Sequence, residues 1–409
     1  MQRLKARALA SLTDLPEALK AAKKAADDAT AITDLKRKAE EHPAALMLLA
    51  ELSGAQGAEM YKQTVQLYPE SRFGLAARYE LARLASQAGK VDEALTEIQT
   101  LIDLLSKQTD PKLSDLKRDA FFAAGDFAFR KPDFKTCEEF LKSYRELAGA
   151  ADPRADDIAR KFAWSRHEQN DPAGAAKILD EALQKFTKST YRDEMLYLRS
   201  LAATKLGGHD DALKFIDTLL TESPASTFAA EALYDASTML YKQQKYGESI
   251  ARLSTLLDTP ALAASPLRSA AFQLRASARL QSGKFADAHA DSAAAIKAAS
   301  ADGAKRLPAL RLIGALALLS QKDKSTEAEA ALSDLIKEGP AAAPEVKQAL
   351  LRRAQLRFEA KKFAEAKADF TLAAGDLSQP LTPEALDAAL RLALCHKELK
   401  AVSYTHLTL

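Results

Sequence analysis

Few residues in this 409-residue chain have the types and spacing that chemistry requires. His167 and Glu168 adjoin each other close to Trp164, the only tryptophan, and a histidine beside a carboxylate is the minimum of a general acid–base pair. A working base also needs a partner that holds its ring, so the pair reads more simply as neighbours on a solvated helix face. The other histidines, His42, His209, His289, His396 and His406, are scattered along the chain. Gly89-Lys90 and Gly283-Lys284 carry the end of a phosphate-binding loop, but the upstream glycine is missing and a helical stretch precedes each, so both read as turns. Asp27-Asp28, Glu138-Glu139, Asp156-Asp157 and Asp210-Asp211 fall at turns or helix starts, where carboxylates complement the helix dipole without any further role. Cys137 and Cys395 have neither CxxC nor metal-ligand spacing. No GxGxxG, HExxH or GxSxG occurs. The residues therefore predict no catalytic group, no cofactor, no metal site and no enzyme.

The elements that carry these residues follow from composition. Apolar residues make up 47% and charged ones 28%, a folded composition. Alanine is roughly a fifth of the chain, well above ordinary usage, while valine stands only at Val65, Val91, Val346 and Val402. Sheets draw on β-branched residues and helices on alanine, so an all-α fold is expected. The 58 basic and 56 acidic residues leave a net charge of +2, which is not the electrostatic footprint of a nucleic-acid partner. The most apolar stretch, Leu307 to Leu319, is too short to span a bilayer and contains Pro308 and Arg311.

A repeat organises the helices. The segment Gln87 to Ala94 returns as Gln281 to Ala288, as Lys361 to Ala366 and, more loosely, as Leu206 to Ala212, each a tight turn between amphipathic stretches. The small residue after each turn defines a register: Ala94, Cys137, Ala175, Ala212, Ser249, Ala288, Ala328 and Ala366, in steps of 37 to 43 residues. Twelve residues earlier the chain is small in every unit but that of Leu316, and four residues later it is large in every unit but that of Ser292. Small residues at matching positions let two antiparallel helices approach, and large ones a turn away fill the groove around the contact. Sixteen residues before the anchor stand Phe121, Leu196, Leu233, Phe272, Leu312 and Leu350, with Arg78 and Ala159 as departures. Glycine at several turns is expected in the left-handed conformation that ends a helix. Tyr68-Pro69-Glu70-Ser71 and Glu222-Ser223-Pro224-Ala225-Ser226 stop one unit and offer a serine to start the next.

The small residues at the helix crossing, the aromatic after Gly-Lys, the alanine of the second helix and the proline before the next unit together resemble the tetratricopeptide repeat (TPR) family, over most of the chain from Leu15 to Lys400. The step exceeds the 34 residues usual there. The longer linkers with Pro-x-Ser look like the bacterial envelope-associated subgroup, which implies a periplasmic or envelope setting and leaves the cytoplasm open. The family's fold is a right-handed superhelical solenoid of antiparallel helix pairs whose first helices line a concave groove. A sustained heptad, the mark of a coiled coil, is absent.

In the family the ligand meets first-helix residues, here fifteen, eleven, eight and seven places before each anchor. Carried over, these positions hold Tyr79 and Arg83; Phe122, Phe129 and Arg130; Arg160, Trp164 and His167; Tyr197; and Tyr234, Tyr241 and Lys242. Aromatic anchors with basic neighbours suit a protein or peptide partner bearing carboxylates. The Lys/Asn/Arg clamp of the chaperone-binding members is not found.

The resemblance implies a non-enzymatic binding scaffold. The alternative is the non-catalytic arm of a larger enzyme or cell-envelope machine. Residues 1–401 are expected to form a continuous TPR-like solenoid of about nine helix pairs plus a partial terminal unit. Residues 402–409 match neither the composition nor the register and look like a translated sequencing adapter, so a non-native or disordered tail on a piece of a longer bacterial protein is expected. Oligomeric state is left open.

Overall fold

The computed structural model describes residues 2–11, 14–149, 151–298, 307–340, 343–375 and 383–406. Among them every regular element is a helix. The chain divides into two compact units, Met1–Gly208 and His209–Leu409.

The first unit contains α1 (Gln2–Ser11), α2 (Leu15–Thr30), α3 (Leu35–Leu52), α4 (Ala58–Leu67), α5 (Arg72–Gln87), α6 (Val91–Ser106), α7 (Ser114–Arg130), α8 (Phe134–Leu147), α9 (Ala155–Glu168), α10 (Pro172–Lys185) and α11 (Arg192–Lys205). The second contains α12 (His209–Glu222), α13 (Ala229–Lys242), α14 (Tyr246–Asp258), α15 (Arg268–Gln281), α16 (Phe285–Ala298), α17 (Leu307–Leu319), α18 (Ser325–Glu338), α19 (Pro344–Glu359), α20 (Phe363–Ala374) and α21 (Pro383–His406). Within each unit every helix packs on the next. The first helices of successive pairs also touch: α3 with α5, α5 with α7 and α9 with α11 in one unit, α13 with α15 through to α19 with α21 in the other. This is the stacking of helix pairs expected of a TPR solenoid.

The register is written in burial. All eight anchors, from Ala94 to Ala366, have no exposed surface. The partner residues Ala82, Ala163, Ser237, Ala276 and Ala354 are equally buried, and so are Ile98, Leu141, Leu179, Ile216, Leu253 and Leu332 one turn beyond the anchors. In the α13–α14 pair the crossing is a direct contact, with Ser249 Oγ donating to the Ser237 carbonyl at 2.9 Å. At Gly125 a Cβ would lie 2.6 Å from Leu141 Cδ2. Burying one Leu or Ile at each crossing stabilises the pair by about 1.5–3 kcal/mol.

The turns are as local as the crossings. Gly89, Gly207 and Gly283 adopt φ of 76°, 80° and 76°. The same position, five residues before the anchor, is held at φ near 60° by Asn170, Gln244 and Lys361. The amide after each left-handed residue closes the helix end, as Lys90 N does on the Ala85 carbonyl at 2.9 Å. Ser71 Oγ accepts from Gly74 N at 3.1 Å and caps α5, whereas Ser226 Oγ accepts from Phe228 N at 3.1 Å in the turn before α13 and does not cap that helix.

The last helix carries its backbone to His406, within the stretch expected to be a tail; residues 407–409 lie outside the described residues. No helix among the described residues is long and apolar enough to cross a membrane.

Candidate partner-binding face

The groove positions of the first unit lie on α5, α7, α9 and α11, and a network of rings and charges joins those on α7 and α9 to Glu194 of α11. Phe122 of α7 is tilted against the Tyr144 ring at 5.4 Å and lies under two cations, the Arg154 guanidinium at 4.4 Å and Lys161 Nζ at 4.7 Å. Phe129, two turns on, packs edge-on against Phe134 at 5.9 Å and receives Arg160 at 5.4 Å. Arg160 pairs with Asp157 on its own helix at 2.5 Å and with Glu194 of α11 at 2.8 Å. Trp164 Nε1 donates to the same Glu194 oxygen at 2.5 Å. Stacking of guanidinium groups on rings adds roughly 0.5–2 kcal/mol per contact according to how dry it is.

Lys161 is the residue that sequence reasoning missed. It is 2% exposed and bridges Asp126 of α7 at 2.8 Å and Asp157 at 2.7 Å. A buried ammonium survives only when paired, and here two carboxylates hold it. Arg154 joins the same layer through Asp119 at 2.9 Å. The acidic residues eighteen places before the anchors, Asp119, Asp157, Glu194 and Glu231, were the available signal, but linear spacing does not say which cations they meet across helices.

Other predicted positions divide. Arg83 and Arg130 are exposed and keep only partners on their own helix as ion pairs, Glu80 at 2.7 Å and Asp126 at 2.9 Å. The hydrogen bond that Arg83 donates to Glu80 pushes the guanidinium's pKa further up, and burial pushes the Tyr79 hydroxyl up. Tyr197 is buried, so it backs the face instead of presenting to solvent. His167 is buried as well, edge-on to Trp164 at 5.9 Å, and its Nδ1 has no hydrogen-bond partner. Burial first, and then the Lys205 charge, lower its pKa, which disfavours the charged ring. The solvated-face reading thus holds for Glu168, which is exposed, and fails for His167. In the second unit Tyr234 is half-buried against the Leu233 cluster, Tyr241 packs edge-on against Tyr246 at 5.4 Å, and Lys242 is exposed.

The cysteines are free and buried. Burial pushes the Cys137 thiol up to about 11 and raises Cys395 too, which makes both poor nucleophiles. Cys137 acts as the small residue of its crossing. Among the described residues no group of three or more His, Cys, Asp or Glu side chains is arranged to hold a metal ion.

Stacked antiparallel helix pairs with small residues at each crossing define an all-α repeat protein. The tetratricopeptide repeat family model matches residues 160–227, a segment that includes the anchors Ala175 and Ala212. Over that segment the chain resembles a tetratricopeptide repeat. No curated protein matches it. Among solved structures it is similar to a tetratricopeptide repeat protein from Parabacteroides merdae, at 19% identity over 68% of this chain and 98% of that one, with a TM-score of 0.40. The C-terminal part of a TPR repeat-containing protein from Cytophaga hutchinsonii is similar at 14% identity over 65% of this chain and 98% of that one, with a TM-score of 0.49. YrrB, described as a TPR protein with an unusual peptide-binding site, is similar at 16% identity over 49% of this chain and 92% of that one, with a TM-score of 0.38.

Proposed function

We propose that this protein is a non-enzymatic scaffold that binds a protein or peptide partner on its first-helix faces. The repeats supply the general class, since tetratricopeptide repeats serve protein interaction. The observation that supports the particular face is the aromatic and ionic layer of α7, α9 and α11, in which Phe122, Phe129 and Trp164 are held by Arg154, Arg160 and Glu194. A layer already fixed by internal pairs loses little side-chain freedom when a partner docks. The buried cations are neutralised by the chain's own carboxylates, so the groups left to contact a partner's carboxylates are the exposed ones, Arg83 and Arg130. Aromatic edges would supply the apolar contact between them.

The test uses a photo-crosslinking residue placed singly at Arg83 or Arg130, and as a control at the exposed Gln99 of the second helix α6. The same partner should be captured from both first-helix positions and not from Gln99. Equal capture from Gln99, or none from either arginine, would remove the first-helix face as the binding surface.

A further inference from the structure

The sequence departs from its own repeat at Ala159, where most units carry Leu or Phe sixteen residues before the anchor. The structure has a cleft of about 530 Å³ at that point, lined by Ala159 and lying between α8 and α10 with α9 as its floor. Its size falls within the roughly 300–1,000 Å³ of ligand pockets. The cleft is not the first-helix face. At 3.6 residues per turn, two residues along a helix turn it by about 200°, so Phe162 in the cleft floor points away from Arg160 and Trp164.

The lining has an apolar centre and a charged rim. Phe162, Ile178 and Phe186 supply the centre. Lys142 and Arg145 stand on the α8 wall and Lys185 on the α10 wall. Lys142 and the fourth cation, Arg166, share the buried Glu138 at 3.4 and 2.8 Å. Arg145 and Lys185 have no carboxylate partner among the described residues; they lie over the Phe162 ring at 5.7 Å and the Phe186 ring at 5.1 Å. Of the two lining acids, Asp152 already accepts from the Tyr144 hydroxyl at 2.9 Å and from Arg154 N at 3.0 Å, which leaves Glu181.

We propose that this cleft is a second binding site, which receives an acidic peptide segment carrying one large apolar side chain. The apolar residue fills the volume that Ala159 leaves over Phe162, and carboxylates on either side of it meet Arg145 on one wall and Lys185 on the other. Cations on two opposed walls match a chain crossing the cleft with charge before and after its anchor, whereas a compact aromatic acid carries its charge at one end only.

A random dodecapeptide library, depleted on the Ala159→Phe chain and then selected on the unsubstituted chain, tests this. Enriched peptides should carry a Phe, Trp, Leu or Met flanked by two or more Asp or Glu. Their Kd should rise at least tenfold both in Ala159→Phe, which restores the bulk found in other repeats, and in Arg145→Glu/Lys185→Glu, whose exposed substitutions leave the core intact. It should not change in Arg83→Glu/Arg130→Glu. No enrichment, enriched peptides without carboxylates, or affinity indifferent to both cleft variants would overturn the proposal. Loss of affinity in Arg83→Glu/Arg130→Glu would return the peptide to the first-helix face and overturn it too. Binding of 3-phenylpropionate as tight as that of the peptides would replace the peptide with a free aromatic acid.

Discussion

Single atoms decide how closely the helix pairs approach. Gly125 sits twelve residues before Cys137, and the Cβ it lacks would meet the buried Leu141 side chain at 2.6 Å. A glycine inside a helix ordinarily costs about 1 kcal/mol relative to alanine. Overpacking a crossing costs about 1–3 kcal/mol, so the steric term wins. Gly125→Ala should therefore lower the thermal midpoint, while Gly247→Ala, where nothing lies within 4 Å, should raise it slightly or leave it unchanged. Equal responses in two melting curves would show that the Gly125 crossing has room. Positions of this kind were legible in the sequence, because twelve residues of helix, turn and helix form a local unit whose small members recur.

Elements are tied by ion pairs that the helical pattern did not announce. Arg275 of α15 makes a two-bond contact with Asp291 of α16 at 2.9 and 2.8 Å and also reaches Ser254 of α14 at 2.9 Å, while Arg279 reaches Asp291 at 2.7 Å. The same four-residue arrangement recurs in Arg353, Arg357, Asp369 and Ser333, with Arg353 on Asp369 at 2.9 and 2.7 Å. Each set fastens a first helix to the second helices before and after it. Asp369 is 2% exposed, and its loss would leave the Arg353 guanidinium without a carboxylate, while Arg357 would keep Glu329 at 2.8 Å and Glu365 at 3.4 Å. Asp369→Ala should cost about 3–5 kcal/mol in urea unfolding, since a buried charge left without its partner is strongly destabilising. A cost below about 1 kcal/mol would place the pair among solvent-screened surface contacts. In retrospect the Arg and Asp sixteen residues apart were visible, but composition offers many such pairs, and only the three-helix packing selects these.

At the scale of the molecule, stability is a sum of local clusters, as expected when each repeat touches only its neighbours. The clusters differ in what they bury. Around α1 to α3 the buried residues are mostly alanine, such as Ala6, Ala22, Ala26 and Ala45, with Leu46 and Leu48. Around α5 to α7 they include Leu75, Ile98, Leu101, Ile102, Leu105 and Phe127. Alanine removes little apolar area from water, so the first cluster contributes less per residue. Amide hydrogen exchange should accordingly be fastest in α1 to α3 and slowest in α5 to α7, with protection graded between them. Uniform protection across the first unit would mean that it opens as one cooperative body. The same locality explains what could be read in advance. Helix content, the pairing of helices, the anchor register and the left-handed turns were determined by the sequence itself, because each depends on residues within about forty positions of one another. The tertiary structure alone decided that Arg160 and Lys161 are bound to carboxylates of neighbouring repeats, that His167 and Tyr197 are buried, and that Ala159 opens a cleft. Those outcomes depend on how closely successive pairs approach, a distance set by irregular linkers and side-chain volumes across separate helices, which no periodicity along the chain encodes.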